Sequence, residues 1–129
     1  MKLFLISLCI LVINPFFTRA QSNKVDKLTA QLAKAVTDKD KTDIYNQLSS
    51  EIKVTNVDSA INLAYKAHEL ATKNNYTYGE GTAYLCIALA NIVKGKYEFA
   101  YENATKATAI AEKIGSDSLL AYSFTVVGA

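Results

Sequence analysis

The sequence predicts an all-α protein built from antiparallel helical hairpins, and three observations support this fold class. The only proline is Pro15, so the rest of the 129-residue chain lacks the residue that breaks helices most strongly. Ala, Lys, Glu and Leu, which favour helix, are frequent from residue 30 onward. A pattern of small residues at helical spacing recurs after 40 residues. A chain of this length fits one domain.

Residues 1–20 have the pattern of a secretory signal peptide. Lys2 supplies positive charge, Leu3 to Ile13 form an apolar run, and Thr18-Arg19-Ala20 resembles a cleavage site. We therefore expect cleavage before Gln21 and export to the periplasm or another extracytoplasmic compartment. The alternative is an uncleaved N-terminal membrane anchor, although the apolar run is shorter than the ~20 residues of a spanning helix.

Without that segment the chain is formally neutral. Lys2 and Arg19 leave with it, and the remaining lysines balance the 12 Asp and Glu residues. No basic surface is left to follow a phosphate backbone, so the sequence does not predict nucleic-acid binding. Cys86 becomes the only cysteine, which excludes an intrachain disulfide, and its apolar neighbours predict a small buried side chain.

Residues 21–40 are predicted to form an N-terminal amphipathic helix or linker. Its apolar residues recur at helical spacing, namely Val25, Leu28, Leu32 and either Ala35 or Val36. The run Asp38-Lys39-Asp40-Lys41 is expected to be a solvated break, after which the chain forms pairs of helices.

Two segments that begin at Ala60 and Ala100 carry the same small-residue face. Their matched residues are offset by 40 positions: Ala60/Ala100, Ala64/Ala104, Lys66/Lys106, Ala67/Ala107, Leu70/Ile110, Ala71/Ala111 and Lys73/Lys113. Spacings of three and four place the alanines on one helical face. Alanine at a contact lets paired helices approach at the short end of the usual ~8–10 Å range.

The helices before these segments repeat as well. Tyr84 matches Phe124, Ile87 matches Val127 and Ala88 matches Gly128, whereas Ile44 and Leu48 form a looser first copy. For the best-matched copy we expect helices at Thr82–Val93 and Tyr97–Ile114.

Local residues predict the turns between these helices. Gly95 is expected to adopt the left-handed conformation that ends a helix. Asp58 or Ser59 is expected to cap the N-terminus of the helix that runs through Ala71. Ser116 or Asp117 is expected to cap the last helix.

This combination resembles the tetratricopeptide repeat family. The family pattern is an aromatic residue, an aliphatic–small pair, Gly-x-Tyr-x-x-Ala and further alanines at helical spacing. Here the corresponding residues are Tyr84, Ile87-Ala88, Gly95, Tyr97, Ala100, Ala104 and Ala107. The resemblance implies hairpins stacked as a short right-handed solenoid over residues 41–129, with copies at about 41–75 and 76–115 and an incomplete copy at 116–129. The period of 40 exceeds the family's ~34 and also fits HEAT-like repeats.

The long period resembles the exported N-terminal repeats of Bacteroidetes-type signalling proteins, such as sensor kinases and regulators. The similar stretches are Leu48-Ser49-Ser50-Glu51, Asp58-Ser59-Ala60-Ile61 and Ala111-Glu112-Lys113-Ile114-Gly115. This implies a protein-interaction scaffold that forms the extracytoplasmic sensory part of a signal-transduction protein. The alternative is a stand-alone exported structural or assembly adaptor with no signalling output. The implied partner is a protein or peptide segment, which includes a neighbouring domain if the chain is a fragment of a longer protein, as its unfinished third copy suggests.

By the family pattern, the first helix of each pair lines a concave groove. The positions fall on Thr42, Tyr45, Ser49, Ile52 and Lys53, then on Thr82, Leu85, Leu89, Ile92 and Val93, and finally on Tyr122 and Thr125. They are mostly apolar or hydroxylated and lack the Lys/Asn pair with which some family members hold a carboxylate. We expect the groove to accept an amphipathic helix or an extended apolar segment. The alternative is that Leu85, Leu89 and Ile92 simply pack on the next helix.

No residue pattern predicts catalysis, a metal or a cofactor. His68 is the only histidine and is expected at the surface. Asp38, Asp40 and Asp43 lack the Gly and Glu of a calcium loop. Gly79-Glu80-Gly81 is not a phosphate loop, since no Lys-Ser/Thr follows it. The sequence therefore predicts a binding protein rather than an enzyme.

Overall fold

The predicted all-α class is confirmed. The structure, a computed structural model, describes residues 15–128, so most of the predicted signal peptide and Ala129 lie outside the described residues. Within this range all regular elements are helices: α1 Pro15–Lys34, α2 Asp38–Ile52, α3 Val57–Lys73, α4 Thr77–Val93, α5 Tyr97–Ile114 and α6 Asp117–Val127. Connections of two to four residues join them.

Helix α1 packs its apolar residues against the start of the repeat region. Leu28 is buried in a cluster with Ile44 and Leu48, and Val25, Leu32 and Ala35 pack against that cluster. Of the two residues proposed for the end of this face, Ala35 makes the contact, whereas Val36 is 88% exposed.

The polar contacts of α1 with α2 begin at Gln21. Its Nε2 donates to the backbone oxygen of Glu51 at 2.5 Å, and Lys24 Nζ pairs with the Glu51 carboxylate. Arg19 and Ala20, just before the predicted cleavage position, are exposed. Among the described helices, none is long and apolar enough to span a membrane.

The segment Asp38-Lys39-Asp40-Lys41 is the first turn of α2, so its interpretation as a solvated break was wrong. Thr37 caps the helix, because its Oγ1 accepts a hydrogen bond from the Asp40 backbone N at 3.0 Å. Asp38 and Asp40 place negative charge at the helix N-terminus, where the helix dipole favours it.

Helix α4 begins at Thr77, five residues before the predicted start at Thr82, and therefore contains two glycines. A Cβ atom on Gly79 would collide with the Tyr76 ring and would lie 2.8 Å from Thr42 Cγ2 of α2, and a Cβ on Gly81 would lie 2.7 Å from Leu119 Cδ2 of α6. Both contacts are shorter than real Cβ atoms tolerate, so glycine here permits helices to approach closely rather than forming a turn.

The turns agree in part with the sequence-based predictions. Gly95 has φ 78°, as expected for the residue that ends a helix, and Ser116 caps α6 by accepting from the Leu119 backbone N. The cap of α3 is Asn56, whose side chain accepts from the Ser59 backbone N. The proposed caps Asp58 and Ser59 were wrong because α3 starts at Val57.

Consecutive helices pack against one another, and α2 also contacts α4 while α4 contacts α6. The buried residues of α3 include Ala60, Ala64, Ala67 and Ala71, and those of α5 include Ala100, Ala104, Ala107 and Ala111. The repeated alanine face is therefore the face that packs inward. Within residues 15–128, the backbones of α3 and α5 do not approach each other closely, so α2, α4 and α6 are the helices that meet side by side.

Candidate functional site

Helices α2, α4 and α6 enclose an open cavity of about 350 Å³, which we call the groove. Helix α2 contributes Asp43, Asn46, Gln47 and Ser50. Helix α4 contributes Tyr78, Thr82, Leu85, Cys86 and Leu89, and α6 contributes Ser118, Leu119 and Tyr122. A volume of this size lies at the lower end of the range for ligand pockets in proteins.

Leu85, Cys86 and Leu89 of α4 and Leu119 in the first turn of α6 form an apolar part of the lining, which we call the floor. Leu85 and Leu119 are 4% and 3% exposed and belong to the core cluster, while Leu89 packs against that cluster from a half-buried position. Cys86 is buried and its Sγ donates to the Asn46 backbone oxygen at 3.4 Å. Burial raises the pKa of the Cys86 thiol to about 12, so it is a neutral, packed side chain at physiological pH.

The lining from α2, which we call the wall, is polar and consists of Asp43, Asn46, Gln47 and Ser50. Asn46 is 4% exposed, and its Nδ2 donates to the Gly79 backbone oxygen at 3.1 Å. Its Oδ1 is buried and accepts no hydrogen bond from any residue that the structure describes. A buried acceptor without a donor is destabilising by about 1–3 kcal/mol, so Asn46 leaves unused hydrogen-bonding capacity beside the groove.

Among the described residues that line the groove, Asp43 alone is charged. Its Oδ1 accepts a hydrogen bond from Tyr76 Oη at 2.8 Å, and burial together with this bond raises the pKa of Tyr76 well above its ordinary value. Lys39 Nζ lies 5.2 Å from the centre of the Tyr76 ring. Neither Lys39 nor Tyr76 belongs to the groove lining. The Tyr76 contact therefore fixes the Asp43 carboxylate at the wall.

The structure brings four of the predicted groove residues together in this cavity, namely Thr82, Leu85, Leu89 and Tyr122. Ile92 instead lines a second cavity of about 450 Å³ with Tyr97, Tyr101, Val126 and Val127, among others. Val93 is 46% exposed and lines neither cavity.

The predicted residues of α2 lie elsewhere. Ser49 is 1% exposed, and its Oγ donates to the Ala60 backbone oxygen at 2.7 Å, so it packs on α3. Tyr45 lies beneath Lys66 Nζ of α3, 5.8 Å from the ring centre. Thr42 and Ile52, which were also predicted on α2, are outside the groove lining, as are Lys53 just after α2 and Thr125 of α6.

The side of α2 that lines the groove is displaced by about one residue from the predicted side. It carries Asp43, Asn46, Gln47 and Ser50, which the sequence-based assignment missed. The sequence held no signal that separates the two sides, because both exclude Ile44 and Leu48, the apolar positions that pack with Leu28 of α1.

The residues of the repeat signature are mostly structural. Ala88, Ala100, Ala104 and Ala107 are at most 2% exposed and form one core cluster. Tyr84 lies beneath Lys106 Nζ, 5.6 Å from the ring centre. Tyr97 is 68% exposed and contributes to the rim of the second cavity.

His68 is half-buried rather than fully exposed. Its ring contacts Tyr84 edge-on at 4.7 Å between centroids, and its Nε2 lies 3.8 Å from Glu80 Oε1. That separation is too long for a hydrogen bond. In the part of the chain that the structure describes, no group of three or more His, Cys, Asp or Glu residues could hold a metal ion.

Comparison with family models, with curated proteins and with solved structures found no match to this chain. The tetratricopeptide resemblance therefore stays a prediction. Any functional proposal therefore rests on the internal repeat and on the geometry of the groove.

Proposed function

We propose that this protein is a protein-interaction module made of tetratricopeptide-type helical hairpins stacked as a short solenoid. Two features support this arrangement: the alanine faces of α3 and α5 share an offset of 40 residues, and both faces are buried. The contacts of α2 with α4 and of α4 with α6 are those expected when the first helix of each pair stacks on the next first helix.

In this proposal the groove binds a segment of another protein. The main support for this function is an open cavity that has an apolar floor and a wall of hydrogen-bonding side chains. Leu85, Leu89 and Leu119 can bury an apolar side chain of the segment, while Gln47, Ser50 and Thr82 offer partners for its backbone amides. The floor supplies affinity through burial of apolar surface, and the wall supplies orientation.

A peptide-display selection tests this function. Random dodecapeptides selected on the wild-type protein are synthesised with a fluorophore, and their dissociation constants are measured by anisotropy. Leu89→Glu places a charge on the half-buried floor, so we expect it to weaken binding at least about tenfold, since burying an unpaired charge is strongly unfavourable.

The matched control is Ala109→Glu, which adds the same charge at an exposed position of α5. It should bind the selected peptides like the wild type. Circular dichroism establishes that both variants are folded. The proposal fails if no peptide is enriched on the wild-type protein, or if the two glutamate variants bind equally well.

A further inference from the structure

We propose that the groove selects peptide segments in which a basic group, a Lys or Arg side chain or a free amino terminus, accompanies a bulky aliphatic side chain. This inference rests on the proposed peptide-binding function and specifies its ligand class. The aliphatic side chain contacts Leu85 and Leu89. The basic group contacts Asp43 and the aromatic rim, by which we mean Tyr78 and Tyr122.

Charge complementarity is the first reason. Among the described residues that line the groove, Asp43 is the only charged one. The nearby lysines are already engaged, since Lys53 Nζ donates to the Ser50 backbone oxygen at 2.8 Å and Lys39 Nζ lies over the Tyr76 ring. Although Asp43 Oδ1 accepts the Tyr76 hydroxyl, an ionised carboxylate has about four acceptor sites and keeps capacity for a further donor. An acidic ligand would face the like charge of the Asp43 carboxylate.

The hydrogen-bonding character of the wall is the second reason. Asn46 is nine-tenths buried beside the groove, and its Oδ1 accepts no hydrogen bond in the described part of the chain. Asp43 and Asn46 lie one turn apart on the same helix: the Asp43 carboxylate is partly exposed, and the Asn46 Oδ1 is a buried acceptor that lacks a donor among the described residues. Ammonium and guanidinium groups carry only donors, so they match this wall, whereas a carboxylate carries only acceptors.

The aromatic rim is the third reason. Tyr78 and Tyr122 border the groove and are 43% and 66% exposed, so their rings are accessible to a ligand. The faces of aromatic rings attract cations at distances up to ~6 Å. The described part of the chain already uses this interaction three times in its own packing, where Lys39 lies over Tyr76, Lys66 over Tyr45 and Lys106 over Tyr84.

The experiment uses three pools of fluorescein-labelled, N-acetylated decapeptides with Leu at two fixed positions. The variable positions contain Lys in one pool, Gln in the second and Glu in the third, mixed with Gly and Ser in equal proportion. Anisotropy is measured in 20 mM and in 200 mM NaCl. A partly exposed ion pair changes affinity by up to about fivefold, so we expect the Lys pool to bind about two- to fivefold more tightly than the Gln pool and the Glu pool to bind most weakly. The preference should shrink at the higher salt concentration.

Two variants assign the preference to the groove. Asp43→Asn retains the shape of the wall and a Tyr76 acceptor but removes the charge, so the Lys pool should bind it no better than the Gln pool. Asp26→Asn makes the same change in net charge at an exposed position of α1 and should keep the preference.

The outcomes separate this inference from the proposed function. Equal binding of all three pools, abolished in Leu89→Glu, overturns the charge preference and leaves peptide binding intact. A preference that Asp26→Asn reduces as much as Asp43→Asn reflects net charge alone and also overturns the inference. Absence of binding by every pool, together with a failed display selection, overturns the peptide-binding function itself.

Discussion

The pair α2–α3 and the pair α4–α5 reach similar packing with different first helices. Their second helices match closely, because α3 and α5 each bury four alanines at equivalent positions. Each also places a lysine over a tyrosine ring of the first helix, at 5.8 Å in one pair and 5.6 Å in the other. The first helices differ, since α2 buries Thr42, Asn46 and Ser49, whereas α4 buries mainly apolar residues.

The difference shows which part of the repeat sets the distance between helices. The small alanine face permits close approach, and the opposite helix can be polar or apolar if its polar groups find partners. Thr42 Oγ1 donates to the Asp38 backbone oxygen at 2.8 Å, and Ser49 Oγ donates to that of Ala60 at 2.7 Å. At the positions 40 residues later, Leu89 replaces Ser49 and packs against the core cluster instead.

The largest expected effect tests the equivalence of the two alanine faces. Ala64 and Ala104 are both 0% exposed, so Ala64→Leu and Ala104→Leu each insert three extra carbon atoms into a closed contact. We expect each variant to lower the free energy of unfolding by about 2–3 kcal/mol, because overpacking forces side chains and backbone apart. Urea denaturation followed by circular dichroism measures it.

The control for this pair is Ala109→Leu, on the exposed side of α5. It should change the free energy of unfolding by no more than about 0.5 kcal/mol. If Ala64→Leu is tolerated and Ala104→Leu is not, the two pairs do not pack in the same way and the repeat is only a sequence pattern.

The next effect concerns the contact between the two pairs, where Cys86 and its 40-residue equivalent Asn46 meet. The pKa of Cys86 is raised to about 12 by burial, whereas an unfolded thiol ionises near pH 8.5–9. Above about pH 9 the unfolded chain therefore holds fewer protons than the native chain, so stability falls as pH rises.

By pH 10.5 this ionisation should cost about 2 kcal/mol of stability, and it should contribute nothing between pH 6 and 8. Urea midpoints measured across this range for the wild type and Cys86→Ala isolate the contribution, since other groups titrate equally in both. The variant should begin less stable because of its small cavity but lose less stability at high pH. Parallel profiles would show that the thiol is not buried in the native protein.

The sequence was sufficient to predict the helices that carry a strong contrast between faces. Helix α5 has the predicted bounds, Tyr97–Ile114, because its alanines and its flanking Gly95 and Gly115 define a face and two ends. The beginning of α4 was misplaced because Gly79 and Gly81 weaken helix propensity in isolation. A larger residue would not fit at these two positions, because a Cβ would collide with Tyr76 and Thr42 at Gly79 and with Leu119 and Ile110 at Gly81.

The lining of the groove was predictable in part on α4 and α6, but not on α2; Ile92 and Val93 of α4 and Thr125 of α6 lie outside it. Leu85 and Leu89 lie on an apolar face whose register follows from Tyr84 and Ala88. Helix α2 is polar on nearly every side, so periodicity alone could not separate Ser49, which packs on α3, from Ser50, which lines the groove. Only the tertiary contacts decide between adjacent hydroxyl groups of this kind.

The smallest expected effect therefore compares these two serines. Ser49→Ala removes the hydrogen bond to the Ala60 backbone oxygen, while no such bond is lost in Ser50→Ala. Both substitutions give the same gain in helix propensity, so the difference between them measures the buried bond. We expect Ser49→Ala to be less stable than Ser50→Ala by about 1 kcal/mol in urea denaturation. The reverse order would place Ser50 against α3 and Ser49 in the groove. Helix α2 would then present the side predicted from the sequence, and Asp43 would no longer belong to the wall of the groove.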